Sequence, residues 1–505
     1  MSKTTVRQNN RFFLFCIISV GILLRFLNLG SRSFWCDEFL AISLSKLNIH
    51  EMLGWIIRND AHPPLFYLIM HFLFNFTQSE VGLRILPAIF GSGAIILFYL
   101  MLKQMRSGNY LLSLSLFVLS PAAVLWSQTV KSYSMLTFFS LLSVLMFFNF
   151  GRTRRSVYAF GWIISSLIAV YLHNYGVMIL LTQAVMVCIR KKDFPPKVFL
   201  LPLLIILLGY LPYLCGPLMS QIAFVKGATH TVTNPFLRLV HTFYYFVFGE
   251  TLSPLNARFV LPGAVLFLLF FAAGLFGERN FLWFFSSLVL VAAVVVTFVI
   301  RATIPQNLIH LQPFFFIVVS SGLEKIFKGR KRVIFACLLA LSIVPPLHYY
   351  YRGDSSQYHD AGRLVPYRQI MQMIEGEGRM GEAIIVTEQR ERRFLRFFEP
   401  YSPWDWYYKG SLPVIEVTPA TVPNLERELA DIREKYDGFW LILSYGFVEH
   451  QWNDRAKNFF SGGKSVKIRE IRVVRNYSFL DILRGKGKHE YYFVEVYHFI
   501  KADHD

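Results

Sequence analysis

Acidic residues are scarce in the first 350 positions of this chain, so each one can be weighed as a catalytic group. There are nine, and five of them fall between residues 30 and 83. Asp37 and Glu38 are adjacent and follow the first long apolar run. A carboxylate in such a place can act as a general base on a hydroxyl group. The structural alternative is a helix start, where acidic side chains cap the backbone and are stabilised by the helix dipole.

A histidine stands in the next polar group along the chain, Asp60-Ala61-His62-Pro63-Pro64. Proline is well placed in the first turn of a helix, so this group predicts a helix start. His62 can bind an anion or a metal ion there, or it can serve only as a cap.

A substrate that carries a phosphate also needs cationic partners in the protein. Most basic residues near a bilayer instead meet lipid headgroups. Lys131 differs from them because it lies in the polar stretch 127–133, which enters an apolar helix directly. His173-Asn174-Tyr175 forms a tight turn between two apolar runs. We expect its polar groups to face the same cavity side as Asp37, the alternative being a solvated turn at the membrane interface.

Other catalytic motifs are missing from the sequence. It contains no P-loop, no GxGxxG followed by an acid, no HExxH and no GxSxG with partner residues. ATP-driven transport and Rossmann-type chemistry therefore have no support.

Charge is distributed unevenly along the chain. It carries 51 Lys+Arg against 32 Asp+Glu, a net charge of +19, and only 16% of its residues are charged. Soluble proteins carry about 25%. Residues 351–505 hold 23 basic and 23 acidic residues, so the whole excess lies in residues 1–350. This pattern indicates a membrane half followed by a soluble half, and it argues against nucleic acid as a partner.

The apolar runs predict eleven membrane spans, each close to the ~20 residues that a bilayer core requires. They lie at roughly 12–29, 84–102, 110–126, 132–150, 156–172, 174–189, 198–219, 259–276, 281–300, 307–323 and 333–350. With eleven spans every basic cluster falls on one side, which the positive-inside rule makes cytoplasmic. The shorter run 64–77 would break this pattern, so we expect a helix lying in the outer interface.

This topology describes a multi-pass protein of the plasma or inner membrane with a cytoplasmic N-terminus. The first run is predicted to be a retained helix, because it is too long for a signal peptide and lacks a small-residue cleavage site. The predicted domains are a transmembrane domain over 1–350, with a first outer loop at 30–83, and an extracytoplasmic domain over 351–505. The latter is predicted to be a small α/β domain. Its strands are expected near 382–387, 437–444, 466–474 and 490–498, and its helices near 363–375, 421–435 and 449–460.

Several motifs, taken in order, resemble one family. They are Phe34-Trp35-Cys36-Asp37-Glu38, Asp60-Ala61-His62-Pro63-Pro64-Leu65-Phe66-Tyr67, Glu80-Val81-Gly82-Leu83-Arg84, Ser120-Pro121, residues 127–133 and Tyr171-Leu172-His173-Asn174-Tyr175. Together they resemble the polytopic GT-C glycosyltransferases, in particular the protein-O-mannosyltransferase-like group with the lipid A galacturonosyl and aminoarabinose transferases. The resemblance is good over residues 12–190, weaker over 190–350 and only architectural over 351–505.

The resemblance implies a fold and an activity. The fold is a polytopic all-α GT-C bundle of about eleven transmembrane helices, with interfacial helices in the first outer loop, followed by the α/β domain. The activity is inverting transfer of a hexose or pentose from a polyprenyl-phosphate donor to a lipid, glycan or protein acceptor outside the cytoplasm. The implied residues are the catalytic acids Asp37 (general base) and Glu38, the donor-phosphate ligands His62, Lys131 and Arg301, and the cavity residues Tyr133, His173 and Tyr175.

The chain departs from the family pattern in two places. Thr129 and Lys131 stand where relatives often have an acid and an arginine, and Gln306 replaces the arginine of a Pro-Arg-Tyr motif. A divalent metal ion therefore stays open as a cofactor, and no other cofactor is implied. Two alternatives to the enzyme also stay open: a non-enzymatic transporter or flippase of lipid-linked sugars, and a catalytically silent family member.

Overall fold

Long apolar helices and one mixed sheet are the elements of this chain, and they fall into two units. The computed structural model describes residues 3–104, 110–227, 234–252, 257–277, 280–300, 303–352, 365–387, 403–417, 424–444, 450–461, 465–475 and 491–501. One unit comprises Met1–Gly30 with Leu44–Asp354, and the other Ser31–Ser43 with Ser355–Asp505.

Every regular element in the described part of the first unit is a helix, and α2 is shared between the units. Its α-helices are α1 (Lys3–Phe26), α2 (Cys36–Lys46), α3 (Ile49–Asn59), α4 (Leu65–Phe74), α5 (Glu80–Gln104), α6 (Tyr110–Leu119), α7 (Pro121–Ser127), α8 (Tyr133–Thr153), α9 (Ser156–Leu172), α10 (Val177–Ile189), α11 (Pro196–Leu214), α12 (Pro217–Gly227), α13 (Pro235–Phe248), α14 (Ala257–Gly274), α15 (Phe281–Val299), α16 (Gln312–Ile326) and α17 (Gly329–Arg352). Two 3-10 turns, Asn174–Gly176 and Pro305–Leu311, precede α10 and α16.

Several of these helices have the length and composition of membrane spans. Among the described residues, α5, α8, α11, α15 and α17 are long and apolar enough to cross a bilayer, and the bent pair α6 and α7 would make a sixth. Helices suit that environment because they satisfy their own backbone hydrogen bonds. The predicted number of eleven spans stays a prediction.

The bend between α6 and α7 amounts to 56° and has a local cause. Pro121 cannot donate a backbone hydrogen bond, so it ends one helix and begins the next. Ser120 caps the new helix, its Oγ accepting a hydrogen bond from the Ala123 N–H at 3.2 Å. A continuous apolar run in the sequence is therefore two helices in the structure.

The helix α4 occupies the run 64–77 that we predicted to be helical without spanning, and the helix is confirmed. Its ten residues rise about 15 Å, half of a bilayer core of about 30 Å. His71 fastens it to the end of α2, its Nδ1 lying 2.9 Å from the Ser45 carbonyl oxygen. Its interfacial position stays a prediction.

The second unit contains a five-stranded mixed sheet with the strand order β2-β1-β3-β5-β4. Its strands are β1 (Glu382–Val386), β2 (Val414–Glu416), β3 (Gly438–Ser444), β4 (Ser465–Arg475) and β5 (Tyr491–Lys501), and its helices are α18 (Tyr367–Glu377), α19 (Pro403–Tyr407), α20 (Leu425–Lys435) and α21 (His450–Ser461). β1 pairs in parallel with β2 and β3, whereas β5 runs antiparallel to β3 and β4. The small α/β domain predicted from the sequence is confirmed, with every predicted strand and helix present.

Each face of this sheet has its own apolar core. Along β1, Ile385 belongs to one core cluster and Ile384 to the other, as the alternation of side chains in a strand requires. The sequence prediction missed the three-residue β2 and the five-residue α19. Both are too short to leave a periodic pattern of apolar residues.

The stretch 31–43, which carries the acid pair, packs within this second unit. The Phe34 N–H donates a hydrogen bond to the Tyr407 hydroxyl at 2.7 Å. The ring of Phe34 lies 6.0 Å from that of Trp406, and the ring of Phe39 lies 6.1 Å from that of Tyr407. The aromatic side chains of α19 thus hold the segment that leads into α2.

Candidate functional site

The centre of the candidate site is Asp60, which follows α3 and whose side chain is only 7% exposed. Its Oδ1 accepts hydrogen bonds from the Ala61 N–H at 2.6 Å and from the His62 N–H at 3.2 Å. Nδ1 of His62 lies 2.8 Å from the same oxygen. The Tyr67 hydroxyl donates to Oδ2. Four donors therefore surround one carboxylate, which has about four acceptor positions.

These partners determine the charge of Asp60. Burial alone raises its pKa, but the nearby His62, the positive charge of Lys131 and the Tyr67 hydrogen bond together outweigh burial and lower the pKa of Asp60 to about 2. The carboxylate is ionised at neutral pH and its acceptor positions are occupied. Asp60 is therefore suited to orienting His62, whose Nδ1–H donates to the carboxylate, rather than to accepting a proton from a substrate.

The backbone around this pair is tied to distant parts of the first unit. The Asn174 side-chain amide donates a hydrogen bond to the Ala61 carbonyl oxygen at 2.9 Å. The Gln221 side-chain amide, from α12, donates to the His62 carbonyl oxygen at 2.8 Å. Both carbonyls lie in the turn between α3 and α4, so the position of His62 is fixed from two sides.

Aromatic and imidazole rings pack together beside this turn. His173 is 2% exposed, and its ring centre lies 5.0 Å from that of His62, 5.4 Å from that of Tyr133 and 5.5 Å from that of Tyr175. Lys131 is 6% exposed and acts electrostatically on both Asp60 and His173. Five of the predicted site residues, separated by up to 113 positions in sequence, thus form one cluster whose roles stay predictions.

The second 3-10 turn and Thr303 just before it contribute polar groups that the sequence analysis did not assign. The Tyr133 hydroxyl donates to the Asn307 side-chain oxygen at 3.3 Å, and the Tyr175 hydroxyl lies 2.9 Å from the hydroxyl of Thr303. His310, in the same turn, is fully buried. The departure from the Pro-Arg-Tyr motif marked this segment, but its contacts with residues more than 120 positions away left no sequence signal.

The stretch 127–133 divides into a structural and a site-forming part. Gln128 has a structural role, because its side-chain amide donates to the carbonyl oxygens of Leu24 and Leu27, both at 2.9 Å. Thr129, which replaces an acid of the family pattern, donates to the Leu125 carbonyl oxygen at 2.8 Å. Only Lys131 and Tyr133 from this stretch join the cluster around His173.

The acid pair lies in the first turn of α2, within the second unit. Asp37 is half-buried, and Glu38 is 1% exposed. An oxygen of Glu38 accepts a hydrogen bond from the Trp35 N–H at 3.4 Å, as in the return arm of a capping box. Glu38 therefore has a structural role whatever its part in catalysis. The third predicted phosphate ligand, Arg301, lies outside the described residues.

In the described ranges no three His, Cys, Asp or Glu side chains are arranged so that they could hold a metal ion.

The fold of the chain is that of a polytopic GT-C membrane protein, and comparison with solved structures establishes this. ArnT from Cupriavidus metallidurans in the apo state aligns over 97% of this chain and 98% of its own, with a TM-score of 0.52 and 11% identity. The same protein bound to undecaprenyl phosphate aligns over the same shares, with a TM-score of 0.51 and 10% identity. The search of curated protein sequences found no match.

The sequence itself gives a second, local similarity. Residues 47–189 match the family described as dolichyl-phosphate-mannose-protein mannosyltransferase. This segment contains Asp60, His62, Lys131, Tyr133, His173 and Tyr175. The resemblance to GT-C glycosyltransferases that the sequence motifs indicated is thereby confirmed.

Proposed function

We propose that this protein is a glycosyltransferase that takes a sugar from a polyprenyl-phosphate donor. It passes the sugar to a hydroxyl of a lipid, glycan or protein acceptor outside the cytoplasm. The observation that carries the proposal is the cluster of the buried Asp60, Lys131 and His173 with the partly exposed His62, which lies inside the segment that matches the mannosyltransferase family. The donor class is supported by ArnT, a protein of the same fold that has been crystallised with undecaprenyl phosphate.

The chemistry requires stabilisation of a leaving phosphate. When the bond between the sugar C1 and the phosphate oxygen breaks, the oxygen keeps the electron pair and negative charge develops on the phosphate. Fixed cations and hydrogen-bond donors in a site that excludes water stabilise such charge strongly. His62, oriented by the Asp60 carboxylate, and Lys131 supply them.

The attacking group needs a base. In the proposed mechanism Asp37 takes the proton of the acceptor hydroxyl. The oxygen of that hydroxyl bonds to C1 on the face opposite the phosphate. The configuration at C1 is thereby inverted. Asp60 does not suit this role, because four donors occupy its carboxylate and its pKa is about 2.

The test uses the purified full chain with a labelled polyprenyl-phosphate sugar and a candidate acceptor. Wild-type protein is expected to transfer the label, and Asp37→Asn to lower the rate by about 10²-fold or more, as loss of a general base does. Asp193→Asn is the matched control, since Asp193 is an exposed acid paired with Arg190 at 3.2 Å. It should retain full activity. Near-normal turnover by Asp37→Asn would remove Asp37 as the base, and movement of intact donor across liposomes without transfer would favour a transporter.

A further inference from the structure

His173 has a fixed hydrogen-bonding pattern on one side of its ring. Its Nδ1 accepts a hydrogen bond from the Tyr175 N–H at 3.2 Å. A backbone N–H can only donate, so Nδ1 must be the unprotonated nitrogen. The side chain caps the 3-10 turn in this way, because the chain leaves α9 in an extended conformation at His173.

The imidazole is also neutral. Burial lowers the pKa of His173 well below 6.5, and the neighbouring His62, His310 and Lys131 lower it further, while Asp60 opposes them. A neutral imidazole carries one proton. Because Nδ1 is an acceptor, that proton resides on Nε2, which is therefore a donor.

This donor has no acceptor among the residues that the structure describes. Nε2 of His173 is fully buried, and no hydrogen-bonding partner for it lies in the parts of the chain that the structure describes. A buried donor left unpaired is destabilising, so native proteins rarely keep one. The ring packs against those of His62 and Tyr133, within the cluster described above.

We propose that Nε2–H of His173 donates a hydrogen bond to an oxygen of the phosphate of the bound polyprenyl phosphate. This inference rests on the proposed function and adds a neutral donor of fixed tautomer to the groups proposed to hold the phosphate, His62 and Lys131. An anionic oxygen is favoured because Lys131 and His62 act on this position, while the carboxylate of Asp60 is engaged by four protein donors. Hydrogen bonds to a charged acceptor are the stronger kind.

Two substitutions separate this role from packing. In His173→Asn the side-chain oxygen can still accept from the Tyr175 N–H and cap the turn, but nothing reaches the position of Nε2. In His173→Gln the longer amide can place a donor near that position. A purely structural His173 would tolerate Asn at least as well as Gln.

The experiment measures binding of undecaprenyl phosphate and of undecaprenol, which lacks the phosphate, to the purified full chain. His173→Asn should weaken binding of the phosphate lipid by about tenfold or more, with undecaprenol unaffected, since a hydrogen bond to a charged acceptor is of that size. His173→Gln should stay within a few-fold of wild type. The thermal unfolding midpoint of each variant shows whether it is folded.

The outcomes are distinct. Normal affinity of His173→Asn for undecaprenyl phosphate overturns the inference, as does an equal loss in the Asn and Gln variants. If wild-type protein itself does not prefer the phosphate lipid to undecaprenol, the donor class of the proposed function fails instead.

Discussion

Nδ1 of His62 lies 2.8 Å from Oδ1 of Asp60, and the two residues are separated by a single alanine. The carboxylate is buried, while the imidazole keeps 24% of its side-chain surface exposed. The Asp60 carboxylate is thus in the interior, whereas part of the His62 ring that it orients is accessible from outside. This is the arrangement expected of a positioning acid behind a ligand-binding histidine.

Asp60→Asn is expected to weaken the donor complex. The amide has nearly the same shape but removes the negative charge of the group that faces Nδ1 of His62 at 2.8 Å. We expect KM for the polyprenyl-phosphate donor to rise by about tenfold, equivalent to about 1.4 kcal/mol. Tyr67→Phe is the control, because it removes one donor from the same carboxylate and keeps the charge. It should change KM much less, and equal effects of the two variants would contradict a role of the charge.

Tyr407→Phe tests whether the second unit positions the proposed base. It removes the acceptor of the Phe34 N–H and keeps the ring that packs on Phe39. Because segment 31–43 carries Asp37, we expect kcat to fall by about 10- to 100-fold with little change in KM. A small misplacement of a catalytic group can lower the rate by that much.

Tyr408→Phe is the matched control for that experiment. Its hydroxyl likewise accepts a backbone hydrogen bond, from the Leu412 N–H at 2.7 Å, but Leu412 lies outside segment 31–43. Both variants should lose similar stability, about 1 kcal/mol. If kcat falls equally in both, the effect is one of stability and the positioning role is wrong.

Gln128→Leu is expected to destabilise the first unit. The side-chain NH2 of Gln128 donates hydrogen bonds to carbonyl oxygens at the end of α1. Its side-chain oxygen accepts one from the Tyr350 hydroxyl of α17 at 2.7 Å. Each buried polar group left unpaired costs about 1–3 kcal/mol, so the thermal unfolding midpoint should fall by several degrees. Tyr350→Phe removes only one of these bonds and should lower the midpoint less. An unchanged midpoint for Gln128→Leu would show that these bonds do not hold α1 in place.

The second unit should show an acid-dependent stability that depends on Glu382. Burial raises the pKa of Glu382, but hydrogen bonds from His498, the Arg379 backbone and Trp440 outweigh it and hold the pKa below 4.5. The ionised Glu382 carboxylate therefore contributes fully to the free energy of unfolding above pH 4.5. This contribution is lost as the pH falls from 4.5 through the lower pKa of the folded state.

Glu382→Gln provides the measurement for that dependence. The unfolding midpoint of the full chain should be lower in the variant at pH 7, and the difference from wild type should shrink as the pH falls below 4.5. Asp431→Asn, at an exposed acid of α20, is the control and should leave the midpoint unchanged. A difference that stays constant between pH 7 and the acid limit would rule out the carboxylate as its cause.

The sequence by itself determined most helices and strands of this protein and named many of the residues that form its candidate site. Apolar runs long enough for a bilayer predict helices, and alternation in the tail predicts the strands, because both signals arise from neighbours along the chain. The same local signals placed His62, Lys131 and His173 in polar breaks between apolar runs. The apolar run 110–126 predicted a single span, however, and the 56° bend at Pro121 was not predicted.

Only the tertiary structure decided what these residues do to one another. Asp60 counted in the sequence as one more loop acid, yet its four hydrogen bonds and its pKa of about 2 make it a positioning group. The donor role of Nε2 of His173 follows from a turn and from burial among rings brought together across more than 100 positions. Burial and pairing are properties of three-dimensional neighbours, and they set the charge and proton position of each group. A linear pattern can nominate such residues, but it cannot assign their protons.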